Sequence, residues 1–209
     1  MPPPGFIAPS KLEEAASSFL SQYHEVGTIP VPIEEIVEFG FGFDIIPFPN
    51  LKRDFDIEGF LACGANAIYV NDIQYQHSSE YRFRFTLAHE VSHHVLHREV
   101  YEEAGVTSLE GYLKFQDELD SILRDKYEWQ AYSLAGRILV PTKALVNECR
   151  DELDKIRTKL PKGGDAQMVC RDVLAPLVAD AFNVSLPVVE KRLQDDALCP
   201  LIMEENGSD

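Results

Sequence analysis

Residues 83–100 read FRFTLAHEVSHHVLHREV and hold four of the chain's six histidines. Within them, His89, Glu90 and His93 form the pattern H-E-x-x-H. On an α-helix four residues advance ~400°, so His89 and His93 stand ~40° apart on one face, one turn above the other. Two imidazole nitrogens so placed can reach one zinc ion at ~2.0–2.1 Å. Glu90 lies ~100° round the helix, clear of the metal yet within reach of a water beside it, where a carboxylate serves as general base. The plainer alternative is a helix whose histidines face solvent. Against it, Phe83, Phe85, Leu87, Ala88, Val91, Val95 and Leu96 make the helix apolar over much of its circumference. A buried helix must find partners for its polar groups, and a metal is one such partner. His94 points away from the pair. His97, ~80° from His89 and another turn along, is too far to share a metal. Both are expected in hydrogen bonds or in charge roles at the helix C-terminus.

Catalytic zinc commonly has three protein ligands and keeps one position for water. Positions 96 and 99 are Leu and Glu, so no third histidine follows at close spacing. The third ligand is therefore expected from another helix, as a carboxylate. Residues 115–139 read as one helix carrying Asp117, Glu118, Asp120, Asp125 and Glu128. Most of these belong to the charged stretch KFQDELDSILRDK, whose default role is solvation. Glu128 differs, because it opens the run EWQAYSLAGRILVP, where Ala131, Leu134, Ala135, Ile138 and Leu139 follow a buried helical face.

The elements that must position these residues follow from local pattern. SKLEEAASSFLSQYHEVG reads as a helix with Ser10 as N-cap, Glu13 completing a capping box and Gly27 as a stop. FDIIPFP, IEGFLACG and AIYVN are short, rich in β-branched and aromatic residues, and separated by turn formers, which predicts three strands. Pro47 and Pro49 push the first towards an edge. AIYVN, leading to the histidine helix, could offer an edge to an extended substrate. That helix is expected to end near His97, with REVYEEAGVTSLEGY as a loop. Further helices are expected at VPIEEIVEFG and over 141–159, 166–183 and 185–193, with Pro176 as a kink in the third of these, PKGGD as a break and MEENGSD as a solvated tail.

The formal net charge is −16, from 35 acidic against 19 basic residues, which argues against a surface that tracks phosphates and favours basic partners. No apolar run approaches the ~20 residues that span a bilayer, and MPPPGFIAPS lacks the order of a signal peptide. A cytoplasmic location with no membrane contact is expected. The four cysteines, Cys63, Cys149, Cys170 and Cys199, form no C-x-x-C pair and are expected as free thiols.

With these motifs in order, the chain resembles the ImmA/IrrE family of metallopeptidases. RFRFTLAHEVSHHVLH matches the family's R-F-T-L-A-H-E-L-G-H-H-x-L-H, and GFLACGANAIYVN stands in place of its G-x-x-x-x-x-I-x-x-N strand pair. EWQAYSLAGRILVP follows its E-x-x-A-x-x-F-A-x-x-L-L-M-P, with Leu134 for phenylalanine and Val140 for methionine; Ser92 replaces a glycine upstream. The resemblance covers about residues 30–147. It implies one zinc ion held by His89, His93 and Glu128, with Glu90 as general base. It also implies a protein substrate, a basic helix-turn-helix repressor cut to relieve repression in a stress, mobile-element or defence operon. The competing reading is a non-catalytic protein of the same fold that binds a repressor or pairs with a toxin. An intact H-E-x-x-H with Glu128 argues against it. The expected architecture is α+β: a mostly helical, zincin-like domain with a small three-stranded, mainly antiparallel sheet beside the H-E-x-x-H helix. Residues 1–149 are expected as the metallopeptidase domain and 150–209 as a helical extension with a disordered acidic tail. Control of the activity is expected either from a cysteine thiolate on the metal or from the extension covering the cleft. Tyr127, Tyr132 and His94 are the candidates for stabilising the oxyanion.

Overall fold

The structure, a computed structural model, describes residues 7–77, 80–159, 165–195 and 198–204. The proline-rich start, most of the PKGGD break and the end of the acidic tail lie outside the described residues. The three predicted strands form as β1 (Asp44–Phe48), β2 (Gly59–Ala62) and β3 (Ala67–Asn71), in the order β1-β3-β2. The sheet is mixed and not mainly antiparallel: β2 and β3 make the expected antiparallel hairpin, while β1 runs parallel to β3. The cause is α3 (Leu51–Phe55), flanked by Asn50 and Asp56 in the left-handed conformation. It carries the chain past the middle of the sheet to the far edge, and β3 returns between its neighbours. Buried Asn71 and half-buried Asp72 hold this arrangement by accepting the backbone N–H groups of Lys52 and Asn50. With partners on both sides, β3 offers no edge, and the outer strands are β1 and β2.

Helices make up the rest. The first, α1 (Pro9–Tyr23), begins at a proline whose φ is already helical, and its N-cap Ala8 makes no side-chain bond. The expected capping box at Ser10 is not formed. Glu13 instead accepts from the Thr142 hydroxyl at 2.5 Å and faces the buried guanidiniums of Arg137 and Arg192. After a short α2 (Ile33–Glu35), which runs into a π-helical turn over Ile36–Gly40, and α4 (Asp72–His77) comes α5 (Glu80–Ala104). It extends beyond its expected end, with a break at His97 (φ −127°, ψ 18°).

Residues 115–139 are not one helix. α6 (Leu109–Glu118) and α7 (Ser121–Leu139) are parted at extended Leu119, and Asp120 caps α7 by accepting from the amides of Ile122 and Leu123. Downstream lie α8 (Thr142–Ile156), α9 (Ala166–Met168), a π-helical turn over Val169–Leu174, α10 (Ala175–Val178), α11 (Leu186–Asp195) and α12 (Cys199–Met203). Pro176, with no N–H to give, sits in the first turn of α10 just after the π-helical turn. Among the described residues no helix is long and apolar enough to cross a membrane.

One buried cluster runs from Leu12 to Ile202, so helices beyond residue 150 share a core with those before it. At its centre α5 packs on α7, with β2 against the other side of α5. The residues that depart from the family pattern fit this core: Ser92, Leu134 and Val140 are fully buried, and the Ser92 hydroxyl donates to the Ala88 carbonyl at 2.7 Å. Arg84, also buried, donates to the carbonyls of Val31 and Asn183, tying the start of α5 to both ends of the chain.

The contact between β2 and α5 depends on Gly59. A Cβ there would stand 2.6 Å from Thr86 Cγ2 and 2.9 Å from the Tyr69 carbonyl oxygen. The first neighbour is a methyl on α5 and the second is backbone, so neither yields cheaply. Gly59→Ala is expected to destabilise the protein by about 1–3 kcal/mol, read as a lower urea midpoint with unchanged slope.

Candidate metal centre

His89 and His93 project from α5 towards α7, where Glu128 meets them. His89 Nε2 lies 3.1 Å from Glu128 Oε2, His93 Nε2 lies 3.5 Å from Oε1, and the two Nε2 atoms are 3.1 Å apart. Donors bonded at ~2.0–2.1 Å to one tetrahedral ion stand ~3.3–3.4 Å from each other. The two nitrogens stand close to that spacing, each faces one oxygen of the Glu128 carboxylate, and the three side chains form a group that could hold an ion. Of the five carboxylates on 115–139, Glu128 alone is in this group. The apolar run behind it explains why: α7 buries Ala131, Leu134, Ala135 and Ile138, which holds the helix hard against α5.

Electrostatics within the group follow from burial and short range. Burial opposes a charge on His89, but its bond to Glu128 and the nearby charges of Glu90 and Glu128 outweigh that and raise its pKa. On Glu128 burial favours the neutral acid, yet the bond from His89 and the nearness of His93 hold the carboxyl well below the usual range. The group thus favours a proton on His89 more than an isolated imidazole would, and a cation entering between the donors would compete with it.

Glu90 points elsewhere. Only 5 % exposed, it is pushed up to about 7 by burial, with the Glu128 charge adding to the rise and His89 and the Leu61 amide of β2 opposing it. It lines a cleft of about 300 Å³ together with His89, His93 and Glu128. Asp56, Glu58 and Gly59 from the start of β2, Phe85 and Thr86 from α5, Tyr112 from α6 and Tyr132 from α7 complete most of the wall.

The remaining histidines do not ligate. His94 turns away, with Phe41 and Phe43 edge-on to its ring and Cys63 Sγ 3.9 Å from Nδ1. His97 is buried behind His93 and bonded to Gln130. Of the proposed oxyanion donors, Tyr132 lines the cleft, whereas Tyr127 packs edge-on to His97 and His94 faces the opposite side of α5. Tyr112 was not anticipated, because its segment reads as loop. The signal for it is Ser108, which caps α6 by accepting from the Gly111 amide and so places Tyr112 in the first turn of that helix. Among the described residues no cysteine and nothing after Tyr132 lines the cleft, so neither expected gate is seen among them.

A family model of peptidase M78, described as the IrrE N-terminal-like domain, matches residues 47–194. No curated protein and no solved structure matches the chain.

Two outcomes follow for the metal site. Purified without chelator, the protein is expected to carry one divalent ion per chain by elemental analysis, and a His89→Ala, His93→Ala double variant none. In the metal-free protein, His97 is pushed down to about 4, chiefly by burial and by the neighbouring His93. Its unfolded value is the higher one, so the stability it contributes is full above ~6.5 and is lost as pH falls towards 4. Between pH 7 and 5 this amounts to about 2 kcal/mol, which urea unfolding should show and which His97→Gln should remove.

Proposed function

Because the chain belongs to the IrrE N-terminal-like family of peptidases, we propose that it is a zinc-dependent endopeptidase that cuts a basic helix-turn-helix repressor. The observation that carries this reading is the triangle of His89, His93 and Glu128 with buried Glu90 beside it, open on one side to a cleft. Two imidazoles and one carboxylate with a free fourth position are a donor set of catalytic zinc. Bound there, zinc would polarise the scissile carbonyl and lower the pKa of a water molecule.

The chain's own residues do the rest. Glu90 accepts a proton from the attacking water as the new C–O bond forms. It then delivers that proton to the amide nitrogen as the C–N bond breaks, so that the leaving group departs as a neutral amine. A value near 7, set by burial, lets one carboxyl serve in both directions. Tyr112 and Tyr132 offer hydroxyl donors to the negative oxygen that develops between these events. Burial first, and then the charges of Glu90 and Glu128, raise the Tyr112 pKa, so its hydroxyl keeps the proton it must donate.

The substrate class is supported by charge. Asp56, Glu58, Glu90 and Glu128 line the cleft, with no lysine or arginine among its described lining although Lys52 pairs with Asp56 and Glu58 at its rim, and the chain as a whole carries −16. Such a field draws in a basic segment and disfavours nucleic acid. A repressor substrate also places the activity in the cytoplasm, where its cleavage would release a stress, mobile-element or defence operon.

Glu90→Gln tests the mechanism. It should keep the metal and the fold, since the amide preserves shape, yet lower cleavage of a neighbouring-gene repressor by roughly 10²–10⁴-fold on gels and by mass spectrometry. Cleavage by the variant at the wild-type rate would remove Glu90 from the mechanism.

A further inference from the structure

We infer that His97 and Gln130 form a positioning pair that decides which ring nitrogen of His93 carries the proton, and so holds that imidazole ready as a ligand. The inference rests on the metal reading above. At the break in α5, His97 brings Nδ1 to 3.1 Å from Nδ1 of His93, and its Nε2 stands 2.8 Å from Gln130 Oε1. His93, His97 and Gln130 are 2 %, 4 % and 2 % exposed, and the rings of Tyr101 and Tyr127 close in on the two imidazoles.

This chain of hydrogen bonds has a direction. An amide oxygen can only accept, so His97 donates to it through Nε2–H. A neutral imidazole protonated on Nε2 has its lone pair on Nδ1, and that lone pair accepts from Nδ1–H of His93. His93 is then left with its own lone pair on Nε2, the atom 3.1 Å from His89 Nε2 and 3.5 Å from Glu128. Were the Gln130 amide reversed, each bond would run the other way and His93 would hold a proton where the metal must bind. An amide on α7, two residues past Glu128, thereby sets the tautomer of a ligand on α5. Partners of this kind behind a ligating histidine fix its ring orientation and raise its basicity. Neither residue touches the reacting atoms, so the pair acts through His93 alone.

The test uses the full chain and zinc alone. Long-range ¹H–¹⁵N spectra of the metal-free wild type should show His93 already as the Nδ1–H tautomer and His97 as the Nε2–H tautomer. Gln130→Leu, with no acceptor, should turn His93 into a tautomer mixture. In chelator competition, Gln130→Leu and His97→Leu should bind zinc roughly 10–100-fold more weakly than wild type. His97→Gln keeps one acceptor and one donor in place of the ring nitrogens and should restore the affinity. Melting of each metal-free variant by circular dichroism separates lost folding from lost positioning. The inference is overturned if folded leucine variants bind zinc like wild type, or if wild-type His93 carries its proton on Nε2. Failure of the wild type to bind zinc at all would instead overturn the metal reading, and the spectra would still decide the tautomer.

Discussion

Two imidazole nitrogens 3.1 Å apart, both turned towards one carboxylate, cannot face each other as bare lone pairs. Something positive has to lie between them, either a proton or a metal ion, and most of the fold serves to keep that demand in force. The helical repeat of α5 stacks His89 and His93, and the apolar face of α7 presses Glu128 up to them. At that separation the repulsion is strong, and the burial of His93 strengthens it. Were a cation to bind there it would displace a proton, so that metal uptake and proton release would be one event.

The same burial acts with opposite sign on acids and bases. It lifts Glu90 to about 7 and depresses His93 and His97, although all three lie within two turns of one helix. Desolvation disfavours whichever form is charged, so a carboxyl is kept able to hold a proton while an imidazole is kept neutral. These are the states that the proposed base and the candidate ligand would require. One environment therefore prepares two roles, and the close approach of β2 at Gly59 and Leu61 closes that environment on its far side.

How much of this can be read from residues alone depends on how local each feature is. His89, Glu90 and His93 follow from helix geometry, since their relation is fixed by spacing within one element. Glu128 needed the apolar run behind it and the family pattern, because its spacing from the histidines in sequence says nothing about their distance in space. Tyr112 and Gln130 owe their places to tertiary packing and carry little sequence signal. The three strands were visible as turn-bounded β-branched segments. Their order was not, because whether β1 lies parallel to β3 depends on where α3 delivers the chain. The division of 115–139 into two helices turns on Asp120, a capping residue inside an otherwise helical pattern that also reads as surface charge.

Arg84 gives the architecture a consequence in time. Its guanidinium holds the base of the histidine helix to Val31 on one side and to Asn183 on the other, a sequence separation of 99 residues on the C-terminal side. A chain growing on the ribosome has His89, Glu90, His93 and Glu128 long before it has Asn183 or the helices packed around it. Contacts of such long range close late in folding. The frame that holds the base of the histidine helix is therefore completed only after most of the chain has been made.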